Sequence, residues 1–459
     1  MNGSSTPGQP PLTVVDLFAG AGGLSQGFRQ AGFRVLAGSD HDPDAMATYA
    51  GNFPGARALC GDIRDPAIRE QLDELEAGAD VLVGGPPCQA YSQVRNHTRL
   101  IDDPRNSLYR EFVLSVATAR PAAFLMENVP GMAQMGVKSQ VLADLQLDGE
   151  YRVEAQLVDA ADFGVPQTRK RLLFLGVRAD LDTDPPLLTG TGATAALQLV
   201  RFASPATADG AATGYAVTAR PDLGGEALAL RLADAGDLGL TSVTQAIGDL
   251  AVLEAGRRDE ALHPQELPPA ASAYQRLMRA GSSGAMNVSV PRLREDTALR
   301  LAGIPAGGNH RDLPEHLRAR YLTGDKWGPS NGSGRLGRAH YYAYRRLHPD
   351  LWAWTLNTKG DSAYHYRDAR CLSVREFARL QSFPDRFAIA TDPRRGPITG
   401  RIDGGAAHSR YRQVGNAVPP LLAEAAAAAL RDTVLAARAG RPQQQPVRAG
   451  QLALPFGRA

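Results

Sequence analysis

Residues 12–31 constrain the fold more tightly than any other stretch. Leu12-Thr13-Val14-Val15-Asp16-Leu17-Phe18 is apolar and β-branched, and it runs directly into Ala19-Gly20-Ala21-Gly22-Gly23 and then a helical pattern from Leu24 to Ala31. Strand, glycine turn and helix in immediate succession open a nucleotide-type βαβ unit, in which glycines let a ligand approach the backbone at a helix N-terminus. A ligand-free tight turn uses the same glycines, so the next units decide. Phe33-Arg34-Val35-Leu36-Ala37-Gly38-Ser39 predicts a second strand, and it ends at Asp40, about the spacing at which a carboxylate accepts from ribose hydroxyls. Ala58-Leu59-Cys60 predicts a third, followed by Gly61-Asp62-Ile63. Singly, each Asp is as well explained as an N-cap or loop acid. In strand order they line one edge of an α/β sheet, Asp62 placed to accept from an exocyclic amine and Ile63 to pack on the ring that carries it.

Asp80-Val81-Leu82-Val83 predicts a short buried strand, and Gly84-Gly85-Pro86-Pro87 then denies the backbone any continuation as helix or sheet. Cys88 therefore sits on a rigid loop at a strand end, where a partly exposed thiolate is a nucleophile. A lone cysteine is otherwise usually buried and inert. Ala122-Ala123-Phe124-Leu125-Met126 predicts another strand, delivering Glu127 beside the apolar Val129 and Pro130, neighbours that disfavour a charged carboxyl as a general acid requires. Gln167, Arg169 and Arg171 alternate along an extended segment, placing three donors on one face for phosphate or anionic-intermediate contacts, or forming a solvated basic edge.

Farther on, all three tryptophans, Trp327, Trp352 and Trp354, fall between residues 254 and 364, among Tyr341, Tyr342 and Tyr344 and the cations Lys326, Arg335, Arg338, His340, Arg345 and Arg346. Aromatics interleaved with cations and glycines suit groove and phosphate contact, or a small satellite core. Ser373 to Glu376 reads as a capping box opening an amphipathic helix through Phe377 and Leu380. Gln413-Val414-Gly415-Asn416-Ala417-Val418-Pro419-Pro420 leads into an Ala-rich helix, residues 421–438.

These motifs, in this order, resemble the prokaryotic DNA (cytosine-5)-methyltransferases. Phe18-Ala19-Gly20-Ala21-Gly22 matches that family's Phe-x-Gly-x-Gly, Gly85-Pro86-Pro87-Cys88-Gln89 its nucleophile loop, Glu127-Asn128-Val129 its Glu-Asn-Val, and Trp354-Thr355-Leu356 its short Thr-Leu element. Ala90-Tyr91 departs from the commoner Gly-Phe without touching a reacting group. The resemblance implies a class I S-adenosylmethionine-dependent methyltransferase fold, Rossmann-like, with a smaller target-recognition domain. It places the cofactor against Phe18, Ala19, Gly20, Gly22, Gly23, Leu24, Asp40, His41, Asp62, Ile63, Gly85, Pro87, Leu108, Asn416, Ala417 and Val418. It implies catalysis by Cys88, Glu127, Arg169 and Arg171, and contact with duplex DNA through Gln89, Ser92, Lys326, Arg335, Arg338, Arg345 and Arg346. The implied organisation is a lead-in (1–11), a catalytic domain (12–253, with 180–242 an insertion of unassigned role), a target-recognition domain (254–369), a closing motif (370–410), a returning segment (411–438) and a tail (439–459).

Composition bounds the alternatives. Lys and Arg number 50 against 48 Asp and Glu, so a net charge of +2 neither demands nor excludes a polyanionic partner. The three cysteines, Cys60, Cys88 and Cys371, have no metal-ligand or disulfide spacing and, with no leader or spanning apolar run, suit a reducing cytoplasm without a metal site; a monomer is expected. An RNA cytosine methyltransferase, or a silent DNA-binding homologue, is the competing reading. The long aromatic and basic interval argues against the first and intact Cys88, Glu127 and Arg171 against the second. Restriction-modification, with a cognate endonuclease as partner, is the expected context. The tail ends in Gln451-Leu452-Ala453-Leu454-Pro455-Phe456, an apolar cluster after a Pro- and Gln-rich linker. Gln451, Leu454 and Phe456 resemble a peptide that docks on the DNA sliding clamp.

Overall fold

The computed structural model describes residues 10–87, 108–134, 137–203, 213–219, 229–230, 239–314, 316–317, 344–395 and 405–440. They fall into two compact units. The first takes its described residues from Met1–Phe163, Lys170–Gly190 and Ala417–Leu452, the second from Gly164–Arg169 and Thr191–Asn416.

The first unit is built on strands β1 (Thr13–Leu17), β2 (Arg34–Asp40), β3 (Arg57–Cys60), β4 (Val81–Gly84), β5 (Ala123–Asn128), β6 (Tyr151–Asp159) and β7 (Lys170–Arg178). They form one seven-stranded sheet in the order β3-β2-β1-β4-β5-β7-β6. β1 pairs parallel with both β2 and β4, and β7 runs antiparallel to β5 and β6. The strand order therefore reverses between β1 and β4, the switch point at which open α/β sheets bind ligands beyond their carboxyl ends. The strands predicted from residues 12–18, 33–39, 58–60, 80–83 and 122–126 are all present, in the mixed α/β sheet of the expected Rossmann-like class.

Every residue of β1, β4 and β5 is buried, as in strands covered on both faces. Their side chains meet Phe112, Val116, Val141, Leu145 and Tyr151 in one continuous core. Gly84 must be glycine there, because a Cβ would stand 2.6 Å from the Leu17 carbonyl and 3.1 Å from the Phe112 ring. Helices α1 (Gly23–Gln30), α2 (Pro43–Asn52) and α3 (Pro66–Glu76) follow β1, β2 and β3. α2 and α3 each begin Asp-Pro: Asp42 accepts from the Asp44 amide and Asp65 from the Ala67 amide, with proline at the first helical position. α1 has no such cap, since its N-cap is Gly22 at φ 94°. The C-terminal helix Pro420–Arg438 returns to cover α1, where a Cβ on Gly27 would stand 2.4 Å from Ala423 Cβ. Arg431 fixes this packing by donating to the Ala31 carbonyl at 2.6 Å.

The second unit contains a three-stranded antiparallel sheet (Leu197–Ala203, Thr213–Ala219 and Ala229–Leu230), order that the faint pattern of residues 180–242 did not predict. Its helix Val374–Leu380 opens with the expected capping box of Ser373 and Glu376. It is not amphipathic in place, because all of its residues are buried. The physical reason is that its two arginines arrive with partners. Arg379 pairs with Asp249 at 2.6 Å and Asp385 at 2.7 Å, and Arg375 donates to the carbonyls of Met286, Pro384 and Phe387. A guanidinium satisfied on all sides can be buried where an unpaired one cannot.

Candidate active site

The glycine turn after β1 is held by backbone and carboxylate together. Phe18 and Gly20 have φ near 57° and 53°, and the Ala19 amide donates to the Ser39 carbonyl at 2.9 Å. Asp40, at the end of β2, accepts from the Gly20 amide through Oδ2 and from the Asp42 amide through Oδ1, both at 2.9 Å. A carboxylate offers about four acceptor sites, so these two bonds orient it and leave capacity for hydroxyls. His41 Nδ1 lies 3.2 Å from Asp40 Oδ1, and that contact raises the imidazole above its usual range. At Gly20 a Cβ would meet nothing within 4 Å. The turn therefore borders open space, room for a ligand that a side chain would fill. Gly23 faces the other way: a Cβ there would stand 2.2 Å from the Val418 carbonyl, so Ala417 and Val418 close against the turn.

Asp62 follows β3 and is gripped by Arg64, whose amide and Nε lie 2.9 Å from Oδ1 and whose Nη2 lies 2.6 Å from Oδ2. Those bonds hold its carboxyl down at about 2. Ile63 is buried in the sheet core. Leu108 opens the helix Leu108–Ala119 and is partly buried.

Glu127, next to last in β5, is nearly buried, and it is not flanked by apolar groups alone as expected. Arg171 on β7 places Nε 2.5 Å from Glu127 Oε1, while its Nη1 donates to the Lys170 carbonyl at 2.7 Å. Gly85 lies under the same carboxylate, since a Cβ there would approach Glu127 Oε2 to 3.0 Å. Asn128, which the sequence reading left without a role, donates through Nδ2 to the Pro86 carbonyl at 3.3 Å. Its position directly after Glu127 was the available signal. The loop of Gly85, Pro86 and Pro87 that leads into Cys88 is thus held against the end of β5 by Glu127's neighbour. Cys88 itself lies outside the described residues, as do Gln89, Ser92, Lys326, Arg335, Arg338, Gln451, Leu454 and Phe456.

Two expected site arginines are placed otherwise. Arg169 does not share a donor face with Arg171: it is buried in the second unit, donating to the carbonyls of Leu356 at 3.0 Å and Gly415 at 2.5 Å. Gln167 is also buried, donating to the Leu380 carbonyl and accepting from the Leu356 amide. The Thr-Leu element is stapled here, with Thr355 Oγ1 donating to the Thr168 carbonyl at 2.8 Å. Arg346, expected at phosphate, donates instead to the carbonyls of Ile304, Tyr366 and His365 at 2.6, 2.7 and 3.2 Å. Burial lowers its pKa. Arg345 is partly exposed and lies 3.8 Å over the Trp354 ring, a cation–π contact. Asn416 is exposed at the end of the helix Gly405–Asn416.

Comparison with known proteins meets this geometry. A family model described as C-5 cytosine-specific DNA methylase matches residues 12–219 and 307–432. The chain is 32% identical to the type II methyltransferase M.AgeI of Thalassovita gelatinovora, over 92% of this chain and 99% of that protein. It is 31% identical to the type II methyltransferase M.DdeI of Desulfomicrobium norvegicum, over 91% of this chain and 88% of that protein. Among solved structures, a candidate DNA modification methyltransferase encoded within an E. coli prophage superposes with a TM-score of 0.58 at 23% identity, covering 91% of this chain and 98% of that one, and so shares the fold.

Proposed function

From the premise that the chain belongs to the C-5 cytosine-specific DNA methylase family, we propose that its sheet edge from Phe18 to Arg171 performs the family reaction with the residue roles that follow. As a member it transfers a methyl group to carbon 5 of cytosine in DNA at a specific sequence, and the family draws that methyl from S-adenosylmethionine. The observation that carries the assignment is the Glu127–Arg171 pair, seated over Gly85 on the loop that leads to Cys88.

The glycine turn, Asp40, Asp62 and the Ala417-Val418 turn suit the cofactor, because Gly20 borders open space and Asp40, bonded to its amide, keeps acceptor capacity there. Asp40 would take the ribose hydroxyls and Asp62 the adenine amine, while Ala19, Gly22, Leu24, His41, Pro87, Leu108 and Asn416 complete the expected lining. When bound, the cofactor supplies an electrophilic methyl on a sulfonium. Carbon 5 of cytosine is a poor nucleophile, so the Cys88 thiolate adds to carbon 6 and loads electron density onto carbon 5. Glu127 holds ring nitrogen 3 and takes up the charge created by addition, and Arg171 holds Glu127 in place and stabilises that charge. Once carbon 5 carries the methyl, loss of its proton to water and β-elimination of the Cys88 sulfur return the free thiolate. The base must leave the stack for this, at a cost of a few kcal/mol offset by pocket contacts.

Target reading is assigned to residues 254–369, with Arg345 beside Trp354 as a phosphate contact. A cognate restriction endonuclease fits the type II relatives. The tail residues Gln451, Leu454 and Phe456 would dock on the sliding clamp, and a peptide of residues 450–459 should bind purified clamp unless Leu454 and Phe456 are both replaced by Ala. Among the described residues no helix is long and apolar enough to cross a membrane.

The test is labelled methyl transfer to duplex DNA, with bisulfite sequencing of DNA from a host expressing the protein. Methylated cytosines at one sequence are expected, with transfer abolished in Cys88→Ala and a covalent complex trapped on 5-fluorocytosine. Normal turnover in Cys88→Ala would overturn the covalent mechanism.

A further inference from the structure

The N-terminus of α1 lacks a side-chain cap of its own, and the group that replaces one comes from the strand beneath it. Asp16, one residue before the end of β1, accepts from the Ser25 amide at 3.1 Å and the Ser25 hydroxyl at 2.7 Å, both through Oδ2. Since the Ser25 hydroxyl is engaged as a donor, it accepts in turn from the Tyr49 hydroxyl, 2.9 Å away on α2. Room for that ring is built into β2, because a Cβ on Gly38 would stand 2.2 Å from it. The whole chain of bonds is buried, and Asp16 Oδ1 has no hydrogen-bond partner among the described residues. A fully buried carboxylate with one oxygen unmatched is costly wherever it merely holds a fold.

We propose that Asp16, Ser25 and Tyr49 act as a proton-linked positioning unit, which fixes the glycine turn for the cofactor when Asp16 is ionised and relaxes it when Asp16 is protonated. The inference rests on reading the turn as the cofactor site. An ionised acceptor makes the stronger bonds to an amide and a hydroxyl, and it suits the positive end of a helix. The groups that face it are Asp40 from β2, a second carboxylate that disfavours its charge, and Tyr49 from α2, a phenol that burial keeps protonated and that Arg29 of α1 also faces. Burial, the largest effect, pushes Asp16 up to about 7, so its charge changes around neutrality. The cofactor's sulfonium and ammonium favour an ionised neighbour. Binding must therefore tighten as pH rises through that range, and by reciprocity the bound cofactor makes Asp16 easier to ionise.

The experiment is calorimetric measurement of the S-adenosylmethionine Kd from about pH 6 to about pH 8.5 on the full chain, its Asp16→Asn variant and its Asp40→Ala variant. Asparagine copies the protonated acid, so the ratio of variant to wild-type Kd should lie near one at the acid end and reach several-fold at the alkaline end. His41 and the cofactor's own amine titrate equally in both proteins and cancel from that ratio. A flat ratio overturns the proposal, provided Asp40→Ala has lost affinity. Unchanged affinity in Asp40→Ala overturns the cofactor site itself. Should Asp16→Asn fail to fold, Ser25→Ala decides: removing one donor to the ionised form must move the midpoint of the Kd profile to higher pH, and an unmoved midpoint refutes the unit.

Discussion

The two units of the molecule dispose of their charged side chains in opposite ways. In the first, Asp40, Glu127 and Asp62 stand at or just beyond strand ends, oriented by near neighbours: Asp40 by the Gly20 and Asp42 amides, Glu127 by Arg171 and Asp62 by Arg64. In the second, Arg169, Arg346, Arg370, Arg375 and Arg379 are buried and committed to carbonyls and carboxylates of the protein itself. A carboxylate oriented at a strand end with acceptor sites to spare can take a ligand, whereas a guanidinium committed to the protein's own carbonyls and carboxylates is scaffold. The largest effect that tests this contrast is Arg379→Met, which leaves Asp249 and Asp385 without their shared cation. A loss of about 3–5 kcal/mol is expected for breaking a buried pair in this way, measured by urea unfolding through Trp352 and Trp354 fluorescence. A loss below about 1 kcal/mol would mean that the network is ornamental and the contrast false.

In the first unit the corresponding change should spare the fold and strike the chemistry. Glu127→Gln keeps the shape over Gly85 but removes the charge that Arg171 holds. We expect kcat to fall by about 10² or more, with the cofactor Kd and the melting temperature nearly unmoved. A melting temperature that falls while the rate survives would assign Glu127 to the scaffold and erase the distinction between the units.

The same contrast explains what was legible in the sequence. Strands β1 to β5 were readable because buried apolar runs ending in Gly, Asp or Glu have a single sensible place in an α/β sheet, and Asp40 and Glu127 lie at the strand ends where that pattern put them. The arginines were not readable. Arg169 and Arg346 stand next to Lys170 and Arg345 in sequence, and nothing in residue type distinguishes a donor turned to solvent from one turned to the carbonyls of Leu356 or Ile304. Those carbonyls belong to residues up to 187 positions away, so only the assembled fold supplies them. The amphipathic expectation for Val374–Leu380 failed for the same reason, since the partners of Arg379 come from Asp249, far upstream, and Asp385. Asp16 was passed over as one more strand residue because its acceptor role depends on a helix folding back over it.

Acid and base should also separate the units. Asp16 in the first is raised from 3.8 to about 7, chiefly by burial. The native state then holds a proton that the unfolded chain releases, so this group's contribution is fully present below about 4 and is lost as pH rises to about 7. His365 in the second is fully buried, its Nδ1 accepting from the Asp368 amide at 3.2 Å, and burial lowers it from 6.5 to about 4. Its contribution is present above about 6.5 and lost as pH falls toward about 4. Shifts of this size correspond at most to about 4 kcal/mol for Asp16 and about 3 kcal/mol for His365. The melting temperature of Asp16→Asn relative to wild type should therefore rise between pH 5 and pH 8, and that of His365→Asn should rise in the opposite direction, toward acid. Parallel profiles for the two variants would contradict the assignment of opposite titrations to the two units.

The smallest expected effect compares neighbours that sequence alone treats as equals. Arg345 lies partly exposed over Trp354, a geometry that stiffens the side chain and suits a cation that also meets phosphate. Arg346 points inward to three carbonyls. Losing one phosphate contact lowers the slope of log affinity against log salt by about 0.9, so Arg345→Ala should weaken DNA binding a few-fold at low salt and less at high salt. Arg346→Ala should leave the slope unchanged and instead cost about 1–3 kcal/mol of stability, because buried carbonyls lose their donors. Fluorescence anisotropy of a labelled duplex across a salt series reads the first quantity and urea unfolding the second. If the two variants exchange behaviours, Trp354 is holding Arg345 for the fold rather than for DNA, and it is Arg346 that meets phosphate.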